Sequence, residues 1–182
     1  MAILTSTPGR IVMLLLISLL VFVGWQAGLE TAYAKVLVGT TNAVVSNLKA
    51  DTHIEIEKTT EYEAGYQFKI FTRIDGRKAS YPQEPGSLLQ PFVIILSWQI
   101  FLFLVLRRKD ALQSMLVNFG LFILIQVIFM ILLTDYYNSD VQQYIYTMMM
   151  DSFYIIALVF VIKDYMLYPV FVKSGHPKRT KK

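Results

Sequence analysis

Residues 11–28 run for eighteen positions without one ionisable side chain. Three more runs of similar length follow, at 88–106, 111–134 and about 144–162. Roughly 20 apolar residues in a helix cross a hydrocarbon core of about 30 Å. Only helices and closed barrels satisfy their backbone polar groups in lipid. Runs of this length and apolarity predict a membrane all-α bundle with four transmembrane helices. Charged residues make up 16% of the chain, against about 25% in an average soluble domain. Little of the chain is left over for a soluble domain.

The first run has a second possible reading. Ala32-Tyr33-Ala34 resembles a signal-peptidase site. Trp25 and Glu30 lie between the apolar run and that site, and the separation is long for a signal peptide, so an uncleaved anchor is expected. Trp25 then suits an interfacial anchor, and Arg10 precedes the span. A mildly amphipathic helix is expected from residue 29 to 49, continuing from the span or lying on the membrane surface, with Gly39-Thr-Thr-Asn as a place where it breaks.

The periodicity then changes from helix to strand. Residues 52–58 alternate apolar and polar, and 65–74 are rich in aromatic and β-branched side chains. Asp75-Gly76 is the dipeptide of a two-residue hairpin turn. Residues 77–81 return as a third strand. Ala64-Gly65 turns the first strand into the second. The expected insertion is a short antiparallel β-meander between helices 1 and 2. Such a small sheet is marginal alone, so it should pack on the helices or on a partner. Glu55, Glu57, Glu61 and Glu63 fit the solvated face of a strand and its turn, balanced by Lys58, Lys69, Arg73 and Lys78.

Basic residues set the orientation. Arg107, Arg108 and Lys109 link spans two and three, and Lys173, Lys178, Arg179, Lys181 and Lys182 follow span four. The 135–140 loop has none. The positive-inside rule therefore puts both termini and the 107–109 link in the cytoplasm. Arg107, Arg108, Lys109, Lys178 and Arg179 become candidates for lipid headgroup contact. The organisation is then a first transmembrane helix at 1–28, an external segment with the β-meander at 29–87, a three-helix region at 88–172 and a basic tail at 173–182.

One acid interrupts the fourth run. Asp151 lies in the middle of an otherwise apolar stretch, where an ionisable group costs roughly 2.5–3.5 kcal/mol on insertion scales. It either meets a partner or polar cavity, or sits at the outer interface because the span starts late; both readings stay open. Lys163 and Asp164 read as following the span, so the spans offer no Lys or Arg to pair with Asp151. Gln99, Asn118 and Gln126 also lie inside spans, where interhelical hydrogen bonding of about 1 kcal/mol each is their expected role. Gly120 would permit close helix approach. The Met148–Met150 run suits lipid-facing or core packing, and Tyr136 and Tyr137 suit interfacial anchoring.

The chain has no cysteine and only two histidines, His53 and His176, in distant regions. Disulfides, thiolate metal sites and cysteine nucleophiles are excluded. No cofactor, metal or catalytic residue is expected. Nucleic acid is not an expected partner, because the net charge of +4 comes largely from basic residues at span ends. No serine-nucleophile, phosphate-loop or zinc motif is present.

The order of one span, an amphipathic segment, a strand-rich stretch and three closely spaced spans resembles the small four-helix membrane proteins associated with exosortases. The likeness is carried by residues 77–91, with Gly86-Ser-Leu-Leu-Gln-Pro91 leading into span two, and by Tyr165-Met-Leu-Tyr-Pro-Val170 after span four. Claudin-like proteins share the arrangement but carry a disulfide and a tryptophan signature that this chain lacks. The resemblance implies an accessory subunit near bacterial envelope protein sorting or polysaccharide export, in the inner membrane. It does not imply the peptidase, which uses a cysteine. The expected partners are membrane lipid and another integral membrane protein. Two other functions stay in view. One is a transporter or channel subunit with Asp151 lining a polar path. The other is an enzyme on a lipid-linked substrate, with Asp151 and external carboxylates as catalysts.

Overall fold

The computed structural model describes residues 6–60, 65–150 and 152–171. The fold is mostly helical with one three-stranded sheet. Three helices are long and apolar enough to cross a membrane, or four if one bent pair counts as a single span. Their outward faces carry leucine, valine, isoleucine and phenylalanine, such as Leu15, Leu19, Leu20, Leu116 and Leu124. A surface that apolar is stable against lipid and aggregates in water.

Helix α1 spans Thr7–Gly24, opened by the Ser6 side chain accepting from the Gly9 N–H and by Pro8 in its first turn. A π-turn, Trp25–Leu29, links it to α2, Glu30–Leu48. Gly28 lies at φ 121° there, a conformation only glycine adopts without strain. The break in this rod is therefore at Gly28. Gly39-Thr-Thr-Asn, expected to break α2, is continuous helix. Trp25 is buried at 2% exposure, between Tyr33 and Phe92, and faces the core rather than the lipid headgroups.

Strands β1 (His53–Lys58), β2 (Tyr66–Ile74) and β3 (Arg77–Gln83) form an antiparallel meander in the order β1-β2-β3. The alternation read in the sequence is the burial pattern. Ile54, Tyr66, Phe68, Ile70, Thr72 and Tyr81 point inward, while Glu55 and Arg73 point out. Asp75 and Gly76 turn the hairpin with φ of 50° and 78°, the signature of a type I′ turn. His53 stacks on Phe71 across the strands.

The sheet is tied down, as a small sheet must be. Tyr81 donates to the Leu133 carbonyl at the end of the long apolar helix Arg108–Leu133. Lys49 pairs with Asp135. Asn138 donates to the Arg73 carbonyl at 2.6 Å. At the sheet's exposed rim Asp51 meets Arg73 at 2.5 Å and Lys78 at 3.2 Å. Those hydrogen bonds, from Arg73 first and then Lys78, hold the Asp51 carboxyl below its ordinary value.

A short helix, α3 (Gly86–Leu89), leads into α4 (Pro91–Val105). Helix α5 runs Arg108–Leu133, then α6 is Asp140–Met150 and α7 is Phe153–Leu167. Helices α6 and α7 make the bent pair, at 53°. The expected fourth span is thus two helices, and its apolar half reaches Leu167, past Lys163 and Asp164. Asp151 lies outside the described residues, as do Glu61, Glu63 and the tail with Lys178 and Arg179.

The two ends of the bundle differ. Arg10 donates to the Val170 carbonyl, so the start of α1 meets the end of α7. The Trp98 and Phe101 rings of α4 pack on Phe171 at the same end, where Arg107, Arg108 and Lys109 are exposed. The sheet sits at the other end, beside Leu133. Gly120 is exposed, with nothing within 4 Å of where a Cβ would stand, so it serves no close helix approach within this chain.

Gly76→Val places a β-branched residue at positive φ in the turn. It should destabilise the sheet by about 1–2 kcal/mol, read as faster hydrogen exchange in β2 and β3. Acidification should loosen the same region. Because the Asp51 carboxyl is depressed in the fold, its contribution is complete above about pH 3.8 and is lost as pH falls through the lower folded value. Asp51→Asn should remove that acid-dependent step.

Candidate functional site

Helix α5 builds its inward face at a spacing of four. Ser114, Asn118, Phe122, Gln126 and Met130 are all buried along one stripe. The three polar members serve two separate clusters, with Phe122 between them.

The first cluster centres on Asp164 of α7, which is fully buried. Its Oδ2 accepts three hydrogen bonds. Gln99 Nε2 of α4 donates at 2.8 Å, Ser114 Oγ at 2.8 Å and Asn118 Nδ2 at 2.6 Å. Ser114 Oγ also lies 3.3 Å from Gln99 Oε1. Its single proton goes to one acceptor at a time, and the shorter contact is the carboxylate. The other oxygen, Oδ1, has no hydrogen-bond partner and lies 3.3 Å from the Lys163 ammonium. Lys163 also donates to Asn118 Oδ1. The Asn118 amide therefore stands between cation and carboxylate with each end facing the opposite charge.

Burying a carboxylate is stable only with donors on its lone pairs and an opposite charge nearby. Four residues from three helices meet that demand here. Lys163 is partly exposed and within about 6 Å, one turn, of the end of α7. The cluster links α4, α5 and α7 through charge-assisted bonds, the strong class of hydrogen bond.

The second cluster joins α2 to the bundle. Tyr33 of α2 donates to Gln126 Oε1, and Gln126 Nε2 donates to the Leu88 carbonyl at 2.6 Å. Tyr33 also stacks on Phe92 at 4.0 Å between ring centres.

Gln99 and Asn118 are thus brought together, while Gln126 is placed elsewhere. The buried acid that Gln99 and Asn118 meet is Asp164. Charge alone places Lys163 and Asp164 after the fourth apolar run. The helix runs past both to Leu167, with Asp164 buried against donors of α4 and α5 and Lys163 partly exposed beside it. Three uncharged polar side chains in neighbouring spans, two of them at i and i+4, were the available signal that an acid lay nearby.

Among the described residues no group of three His, Asp or Glu side chains could hold a metal ion. Glu57 pairs with Lys69 at 2.9 Å on the outer sheet face, away from Asp164. No family model, curated protein or solved structure matches this chain.

Asp164→Leu should destabilise the protein by about 2 kcal/mol or more, because three buried donors and Lys163 lose their acceptor. Asp164→Asn should cost less, since it keeps one acceptor oxygen. Pairing Asp164→Leu with Lys163→Leu should recover part of the loss. Thermal unfolding of the four purified forms in one detergent checks the order. Equal midpoints for all four would show that the cluster is not a stabilising lock.

Proposed function

We propose that this chain is a non-enzymatic accessory subunit of a bacterial inner-membrane complex, working in envelope protein sorting or polysaccharide export. In this reading it spans the membrane four times, α6 and α7 together forming the fourth span. Both termini and the Arg107–Lys109 link face the cytoplasm, and the sheet faces outward. The separation of the sheet from the exposed Arg107, Arg108 and Lys109 supports that orientation.

The observation that carries the proposal is the self-contained Asp164 cluster. The acid in the bundle spends its interactions on helices of its own chain, as a scaffold requires. A transport path through the same face would have to pass Phe122. That ring is buried against Phe92, Phe153 and Phe160, and it separates the Asp164 cluster from Gln126. The external platform is equally fixed, through Tyr81, Lys49 and Asn138. A rigid bundle carrying a rigid external sheet suits a subunit that presents a surface to a partner.

Two measurements test this. The chain lacks cysteine, so single cysteines at Lys58 and Arg108 can be labelled selectively in intact cells and in inverted vesicles. Labelling from opposite sides is expected; labelling from the same side overturns the topology. A tagged chain extracted in mild detergent should carry an integral membrane partner in fixed proportion. Isolation of the chain alone, with ion or solute flux when reconstituted in liposomes, would overturn the accessory role in favour of a transporter.

A further inference from the structure

Strand β1 is an edge of the sheet, and its pairing with β2 fixes which way its backbone points. Thr59 donates its N–H to the Gly65 carbonyl, so the odd residues of β1 bond inward to β2. The even residues, Ile54, Ile56 and Lys58, turn their N–H and C=O groups outward. At Ile54 those groups are taken. The Asn42 side chain of α2 accepts from the Ile54 N–H at 2.8 Å and donates to the Ile54 carbonyl at 2.8 Å. One side-chain amide thus stands where the peptide group of a neighbouring strand would be.

Beyond Asn42 the edge opens. Among the described residues nothing bonds the outward backbone groups of Ile56 and Lys58. A groove of about 660 Å³ lies beside them, walled by Thr31, Lys35, Val38 and Gly39 of α2 and by Ile56 and Lys58. Gly39 leaves open space where a side chain would stand. Unpaired strand edges are normally blunted or covered. This one is covered at Ile54 only.

We propose that this groove takes an extended peptide segment of a partner protein as a fourth strand, paired antiparallel to Ile56 and Lys58. The backbone sets the partner's conformation. Two adjacent outward residues offer two donors and two acceptors, which only an extended chain matches. The side chains set its sequence. Ile56 and Lys58 both point to the inner face of the sheet, toward α2, where Val38 and Lys35 stand. The partner residue opposite Ile56 is apolar. The partner residue opposite Lys58 is acidic, placed between the Lys35 and Lys58 ammonium groups. Antiparallel pairing puts the acidic residue two positions before the apolar one. The proposal rests on the accessory-subunit reading and names the partner's recognised feature.

The probe is the peptide acetyl-Thr-Thr-Glu-Thr-Val-Thr-Thr-amide carrying a fluorophore, titrated with the full chain in lipid nanodiscs and followed by anisotropy. Saturable binding is expected. N-methylation of the Glu and Val amides, which face β1, should weaken binding at least tenfold. N-methylation of the Thr between them, whose amide faces away, should change it less than threefold. Replacing the peptide's Glu by Lys should weaken binding about tenfold, and Lys58→Glu in the protein should reverse that preference. Gly39→Trp, which fills the groove, should remove binding while the melting temperature stays close to wild type.

Absence of saturable binding to the wild type at millimolar peptide overturns the slot. Equal effects of the two N-methylation patterns overturn strand pairing. A chain that still carries its membrane partner after Gly39→Trp, yet binds no peptide, would refute this inference alone. Loss of any partner with peptide binding intact would instead refute the accessory-subunit reading.

Discussion

Asp164 Oδ2 collects three hydrogen bonds from two helices other than its own. The packing of α4, α5 and α7 against one another depends on that oxygen. A carboxylate in hydrocarbon must be compensated where it stands, and each donor that compensates it is fixed in position by doing so. Helices in lipid gain little from apolar contact alone, because lipid tails are as apolar as leucine. Dispersion leaves their relative rotation loosely specified. A shared acceptor specifies it: Gln99, Ser114 and Asn118 can reach Asp164 together only at one rotation of α4 and α5.

The sheet end of the molecule solves a different problem: three strands bury too little to stand alone. Helix α2 supplies the missing layer. Leu37, Val38, Thr41 and Val45 are buried, at helical spacing along its inner face. Asn42, on the flank of that face, reaches the strand edge. The cover and the edge bond come from the same helix.

Most of the sheet was legible in the sequence because its signals are local. Alternation at 52–58 and 65–74 gave the faces, and Asp75-Gly76 gave the turn. Three helices long and apolar enough to cross a membrane were legible for the same reason. The end of α7 was not legible, since the packing of Lys163 and Asp164 depends on hydrogen-bond partners 45 to 65 residues away. Nor was the continuity of α2 through Gly39-Thr-Thr-Asn. Local propensity argues for a break there, and the burial of Thr41 together with the Asn42 bonds to Ile54 overrides it. Trp25 misled in the opposite way. A tryptophan at the end of an apolar run resembles an interfacial anchor, but the Gly28 kink turns it inward onto Phe92.

The kink at Gly28 also fixes a height. Helices α1 and α2 with their linking turn contain 42 residues, about 63 Å of helix, twice the thickness of a hydrocarbon core. With the last apolar turn of α1 at the bilayer edge, residues 31–39 stand no more than about 17 Å above it. An extended chain covers that distance in about five residues. On the proposed topology, a membrane partner reaches the β1 edge with only a few residues of chain beyond its own span. On that topology the β1 edge is a ledge just above the lipid, within reach of a chain that leaves the membrane.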